Sequence, residues 1–350
     1  MIPFFVPEFT KDMENAAIDA LRNEKFVMGE SVFKFEEEFA RYIGTKFAIS
    51  LNSGNAALQL SLISLGINEK SKVITSTNSF IASANCILMT GAKPILCDIH
   101  HNDGNIDVKT TNEKSEAIIP VHIYGNPCDL DSIKEVSETH KAPIIEDACQ
   151  AHGAIFDHKK VGSIGDVGCF SFYPTKNMTV GGDGGIVTTN NEEIKKKIES
   201  LRDNGRTTRT EYDKLGFTMR LNTVSAAIGR TQLRTLDEKN KRRRELASLY
   251  KTFLADDCML NENSKGTSVY NQIVIKHKKR DEIFSHLSKN NIGVAIYYHI
   301  PIHKQPLYEN LNCNLPISES FSNEVLSLPS FPQLKDDDVK MICEKINEVI

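Results

Sequence analysis

The chain has 350 residues, a formal net charge of −4, 40% hydrophobic residues and 25% charged residues. That composition fits a globular protein with one large domain or two modest ones, and it argues against nucleic-acid binding by bulk charge. The opening MIPFFVPEFTKDMENA has neither the basic nor the long apolar region of a signal peptide, no stretch approaches the ~18 apolar residues of a membrane span, and eight cysteines without a CxxC pair read as reduced thiols, so a cytoplasmic protein with no membrane or nucleic-acid partner and no bound metal is expected.

In chain order, the first half alternates short apolar runs with helical patterns. Strands are expected at FAISL from Phe47, KVITST from Lys72, KPILCDI from Lys93, AIIPVHIYG from Ala117, APIIEDA from Ala142, VGCFSF from Val167 and GGIVTT from Gly184. Several are rich in Ile and Val with little alternation, as in strands covered on both faces. AALQLSLISLG and DLDSIKEVSETH read as helices between them. The order implies an α/β domain around a mainly parallel central sheet. After Asn190 the pattern changes. A long helix is expected from about Asn222 to Phe253, then a strand YNQIVIKH, a helix RDEIFSHLSKNN, a strand GVAIYYH and two further helical stretches. The expected division is a large α/β domain over residues 1–235 and a smaller C-terminal α+β domain over 236–350. The basic run Lys241-Arg242-Arg243-Arg244 reads as a solvated helix face.

Three stretches at strand ends carry chemistry, and ligands of open α/β sheets bind outside the carboxyl ends of strands. Ser53-Gly54-Asn55 forms a small-residue turn into a helix, which offers free N–H groups to a phosphate; a plain N-cap turn is the simpler reading of it alone. Asp147, at the end of IIEDA, is a carboxylate without an apolar reason to be there, unless it only caps the next turn. Lys176 follows FSFYPT and precedes the glycine-rich VGGDGG; alone it reads as surface charge. Together these residues match the needs of pyridoxal phosphate. A lysine amine condenses with its aldehyde, an acid keeps the pyridine nitrogen protonated, and hydroxyls with helix-end amides hold the phosphate. Phe80, after another strand, is available to stack on the ring.

At this point the chain resembles the DegT-type sugar aminotransferases, pyridoxal-phosphate enzymes of fold type I, the aspartate-aminotransferase fold. The resemblance runs nearly end to end, through FVMGESVFKFEEEFARYIGTKFAISLNSGNAAL, IIEDACQAHGA, VGSIGDVGCFSFYPTKNMTVGGDGGIV, GFTMRLNTVSAAIGRTQL and YYHIPIHKQPLY. It implies that Lys176 binds the cofactor and shuttles a proton. It implies that Asp147 pairs with the ring nitrogen, Gln150 sits near the ring hydroxyl, and Phe80 stacks on the ring. It implies that Gly54, Asn55 and Ser171 hold the phosphate and that His303 lies near the substrate. It further implies a homodimer with shared sites, in which the loop around Thr218–Arg220 reaches the partner's phosphate. Asn55 stands where a hydroxyl is common, although its amide can still donate. Thr218 stands where many relatives have Asn, so either Arg220 takes the cross-subunit role or that contact is lost. The implied reaction moves an amino group, by family habit from glutamate, to a keto group of a nucleotide-linked sugar. A keto-sugar dehydratase is the second reading, opposed by Lys176 because those relatives carry a histidine there. A regulatory, non-catalytic member is the third.

Overall fold

The computed structural model describes residues 1–255 and 258–350. Two helices, α1 (Lys11–Asn23) and α2 (Glu30–Ile43), lead into the sheet. Thr10 caps α1 by accepting the Met13 N–H. Strands β1 (Phe47–Leu51), β2 (Lys72–Ser76) and β3 (Lys93–Cys97) alternate with α3 (Gly54–Ser64) and α4 (Ala82–Leu88). Then come β4 (Ala117–Ile119), α5 (Leu130–His140), β5 (Ile145–Asp147), β6 (Val167–Ser171), β7 (Gly185–Thr189) and α6 (Glu192–Leu201). The ladders run β3-β2-β4 and β5-β6-β7-β1. Parallel bridges Ile118↔Ile144 and Val121↔Asp147 join them edge to edge. Within these ladders only β7 runs antiparallel to its neighbours, so the expected mainly parallel α/β sheet of fold type I is present.

Period-two alternation sorts the strand side chains onto two faces. Ala48, Ile74, Ile118, Phe170 and Ile186 join α2, α5 and α7 (Thr223–Arg234) in one apolar cluster. Ile49, Val73, Ile119, Cys169 and Val187 join α3, α4 and α6 in the other. Phe39 of α2 meets Phe170 edge-on at 5.1 Å, a favourable aromatic geometry. A third cluster gathers α8 (Leu236–Phe253), β8 (Ile273–Lys276), α9 (Arg280–Lys289), β9 (Val325–Leu328) and α11 (Asp336–Asn347), with α10 (Pro316–Glu324) before β9. Ile2 belongs to that cluster and bridges to Ile292. Among the described residues, no helix is long and apolar enough to cross a membrane.

Three local expectations are corrected. The helix expected over 222–253 breaks at Thr235 (φ −110°, ψ 3°) into α7 and α8. GVAIYYH forms no strand; it touches its neighbours through single bridges such as Ala295↔Ser327, and its tyrosines turn to a cavity. The basic run is not wholly a solvated face. Arg243 is 3% exposed and donates to the carbonyls of Ser330 and Tyr270, while Arg242 donates to the Leu334 carbonyl and Asp336.

One buried carboxylate ties the loop before β6 to the sheet. Glu146 accepts N–H groups from Gly162 (2.8 Å), Ile164 (2.8 Å) and Gly165 (2.7 Å). His122 Nε2 lies 3.1 Å away, and the Cys128 N–H donates to His122 Nδ1, which leaves the proton on Nε2 facing the carboxylate. Burial pushes the Glu146 carboxyl upward, but His122 and the backbone donors outweigh it and hold the group below its ordinary value. A lowered folded-state value stabilises fully above the unfolded carboxyl range near 4.5, and that contribution is lost as pH falls through the folded value. Replacing Glu146 by alanine strands His122 and three donors, so Glu146→Ala should cost about 3–5 kcal/mol. Denaturant melts at neutral pH check this; an unchanged midpoint would mean that the loop is held without the carboxylate.

Candidate active site

The register of the sheet brings the three chemistry-bearing stretches together. Asp147 of β5 pairs with Cys169 of β6, Ser171 of β6 with Gly185 of β7, and Gly185 with Leu51 of β1. The ends of β5, β6 and β1 therefore open on one cavity of about 530 Å³ on the α3/α4 side of the sheet, lined by Gly54, Phe80, Asp147, Gln150, Ser171 and Lys176 among others.

Asp147 is 4% exposed. Its oxygens accept from neutral donors, the Ser83 hydroxyl at 2.7 Å and the Cys149 N–H at 3.2 Å. Ser83 is itself fixed by Ser79, 2.7 Å away. Lys176 sits in a turn closed by its N–H on the Tyr173 carbonyl at 2.9 Å. Burial lowers the pKa of its amine, against the opposing pull of Cys149 and Asp147. A lowered value enlarges the neutral, nucleophilic fraction near pH 7.

Ser53 caps α3 by accepting the Ala56 N–H at 3.1 Å. Gly54 leaves no room for a side chain, because a Cβ there would lie 2.6 Å from the Ser171 Cβ. The first turn of α3 and the Ser171 hydroxyl so form one small polar corner of the cavity. Asn55 lines the same corner, though its side-chain amide lies 3.6 Å from the Met89 sulfur. Gln150 is held at both ends, accepting the Tyr124 N–H at 2.8 Å and donating to the Tyr298 hydroxyl at 3.3 Å. Phe80 is 56% exposed, its ring on the cavity rim.

Two expected site residues lie elsewhere in the single chain. His303 is 5% exposed, with Nδ1 2.7 Å from the Thr77 hydroxyl and Nε2 3.2 Å from Glu319, and it does not line the cavity. Arg220 pairs with Asp203, and Thr218 donates to the Asn204 side chain at 3.0 Å; neither lines the cavity. Conversely, Ser83 and Phe4 line the cavity without a role expected from the sequence, and Tyr297 and Tyr298 bring the start of the YYHIPIHKQPLY stretch onto its wall. The hydroxyl of Ser83 had a legible signal, since it lies one turn past Phe80 at the start of α4.

These residues fit pyridoxal phosphate. A buried carboxylate held only by neutral donors favours a cation, which a protonated ring nitrogen provides. The helix start beside Ser171 suits a phosphate dianion. When bound, the cofactor supplies an aldehyde that condenses with amines and a ring that accepts electrons. Lys176 would hold it and carry the proton, Asp147 would keep the ring nitrogen charged, and Phe80 would cover the ring. Adding one methyl group to the corner tests this fit. Gly54→Ala should weaken pyridoxal phosphate binding by about tenfold or more, equivalent to about 1.4 kcal/mol. Absorbance titration of the purified protein reads it; an unchanged affinity would place the phosphate elsewhere.

The profile of the DegT/DnrJ/EryC1/StrS aminotransferase family matches residues 7–347. A Streptomyces venezuelae protein named dTDP-3-amino-3,4,6-trideoxy-alpha-D-glucose transaminase is 34% identical over 97% of this chain and 93% of its own. A pleiotropic regulatory protein of Geobacillus stearothermophilus is 35% identical over 94% of this chain and 92% of its own. The PLP form of Spr1654 from Streptococcus pneumoniae, a putative sugar aminotransferase, superposes with a TM-score of 0.93 at 25% identity, over 99% of this chain and 98% of that one. With a family match spanning nearly the whole sequence and a cavity that unites Lys176 with Asp147, the chain belongs to the DegT/DnrJ/EryC1/StrS aminotransferases, enzymes whose chemistry depends on pyridoxal phosphate.

Proposed function

We propose that this enzyme transfers an amino group, supplied by glutamate, to a keto group of a nucleotide-linked sugar, working in the cytoplasm as a homodimer. The observation that carries the reading is the placement of Lys176 and Asp147 on one cavity that also has a polar corner at the start of α3. The named Streptomyces relative supports the substrate class. The aromatic wall of Phe4, Tyr297 and Tyr298 leaves an amphipathic space beyond the lysine, suited to a sugar ring whose faces are apolar and whose edges are polar. Lys176 opposes the dehydratase reading. The basic run gives the regulatory reading no support, because Arg242 and Arg243 are engaged within the chain.

A single turnover tests the substrate class. Protein loaded with pyridoxal phosphate is treated with glutamate, freed of excess donor, and offered UDP-, dTDP- or GDP-linked 3-keto and 4-keto hexoses. One amino sugar per site is expected by mass spectrometry, and none from Lys176→Ala. Borohydride reduction should fix a pyridoxyl group on Lys176. Product from oxaloacetate but from no keto sugar would overturn the substrate class, and a label on another lysine would overturn the role of Lys176.

The homodimer is supported by large apolar side chains left outside the single chain, among them Phe26 (67% exposed), Phe33 (54%) and Leu215 (83%). Leu215 stands in the loop that carries Thr218 and Arg220, the expected cross-subunit group. Mixing inactive Lys176→Ala with inactive Arg220→Ala should restore part of the activity, because one site of each hybrid carries neither lesion. No recovery despite proven subunit exchange would argue that each site is built from one chain.

A further inference from the structure

Three buried asparagines connect the segment that bears the acid to the segment that bears the lysine. Asn177, Asn240 and Asn271 are 4%, 2% and 7% exposed. Asn177 directly follows Lys176. Its Nδ2 donates to Asn240 Oδ1 at 2.8 Å and to the Val269 carbonyl at 2.9 Å, and its Oδ1 accepts from Asn271 Nδ2 at 2.9 Å. Asn271 also donates to the Thr175 carbonyl at 3.3 Å, so both residues flanking the lysine are gripped. At the other end, Asn240 Nδ2 donates to the His152 carbonyl at 2.8 Å. His152 lies in the turn that continues from Asp147 and Gln150, closed by Ala151 N–H on Ala148 and Ala154 N–H on Ala151.

A single side chain of α8 therefore holds the lysine loop with its oxygen and the acid-bearing turn with its nitrogen. Of the side chains of this length, only asparagine offers a donor and an acceptor at that spacing without bringing a charge into a buried place. The fit is close: a Cβ on Gly153 would lie 3.0 Å from Asn240 Nδ2. Asn240 itself does not line the cavity. Its effect on chemistry must pass through the backbone it holds.

We propose that Asn240 is a positioning residue for amino-group transfer, setting the placement of Lys176 relative to Asp147 through Asn177 and the His152 carbonyl. This rests on the cofactor reading above, in which the amine and the carboxylate must meet opposite ends of one rigid ring. A displacement of about 1 Å caused from a distance can cost on the order of 100-fold in rate. The corner at Gly54 and Ser171, which receives the phosphate, is not part of the network, so affinity for the cofactor is separable from placement of the lysine.

Two variants divide the network. Asn240→Asp keeps an acceptor for Asn177 and loses the donor to His152, whereas Asn240→Ala loses both. Each is loaded with pyridoxal phosphate and compared with wild type by cofactor affinity, by the circular dichroism of the bound chromophore, and by kcat and KM for the keto sugar that wild type accepts. The expected result is an affinity within about threefold, a chromophore signal halved or inverted, kcat lowered about 10–100-fold and KM within about threefold, with alanine worse than aspartate. Wild-type chromophore signal and kcat in folded variants would overturn the proposal. So would a kcat that falls only with the unfolded fraction while the chromophore signal stays normal, since that marks a structural role. If the alanine variant does not fold, the aspartate variant decides. The chromophore measurement needs no sugar, so it decides the matter even if the substrate class is wrong; a wild-type protein that takes up no pyridoxal phosphate would overturn the cofactor reading and this proposal together.

Discussion

The register across β5, β6, β7 and β1 is the constraint on which the site depends. A slip of one residue in any of these ladders would turn every side chain of that strand to the other face. In the observed register Asp147, Ser171 and the turn after Leu51 open on the same cavity. Gly185 shows how little freedom remains. A Cβ there would lie 2.2 Å from the Ser53 carbonyl oxygen, so the crossing of β7 beneath the Ser53-Gly54 turn requires glycine. The two glycines Gly54 and Gly185 thus serve close backbone approach; neither has a positive φ.

Neighbouring carboxylates on β5 illustrate what one residue of alternation does. Glu146 points into the Phe39–Phe170 side of the sheet, where histidine and three backbone donors compensate it. Asp147 points to the cavity and meets neutral donors only in part. The first is a fastening, complete within the chain. The second faces space that a ligand cation can enter, where a protonated pyridine ring would meet it. Below the same sheet, His152 is fully buried beside Phe170 and Phe172, and burial together with the Lys176 charge lowers its pKa to about 3. It stays neutral at working pH and adds no competing charge beneath the lysine.

Much of this was legible in the sequence where the signal is local. Strand ends, the Ser53-Gly54 turn and the acid at position 147 are each contained in a few residues, and their union on one sheet edge follows from α/β topology. Long-range partners were not legible. Ser83 reaches Asp147 across 64 residues and Tyr298 reaches Gln150 across 148, and nothing in either local pattern names its partner. The apolar period through 222–253 hid the break at Thr235, although Thr235 followed by Asp237 and Glu238 is the composition of a helix start. His303 and Arg220 were placed by resemblance, which gives a position in a motif but not the direction of a side chain. In the single chain Thr77 and Glu319 hold the first and Asp203 holds the second.

The place of β1 in the sheet has a consequence for how the protein is made. β1 is the first strand synthesised, yet its ladder partner is β7, the last strand of the large sheet. Phe47–Leu51 is almost wholly apolar and buried when folded. On the ribosome it must wait for the chain to grow from residue 51 to residue 185, on the order of ten seconds at ~5–20 residues per second. During that interval an apolar strand has no edge to join, and the Ser53-Gly54 turn has no floor. The nascent chain is therefore exposed to aggregation until β7 emerges, and the corner of Gly54 and Ser171 can form only after that strand is in place.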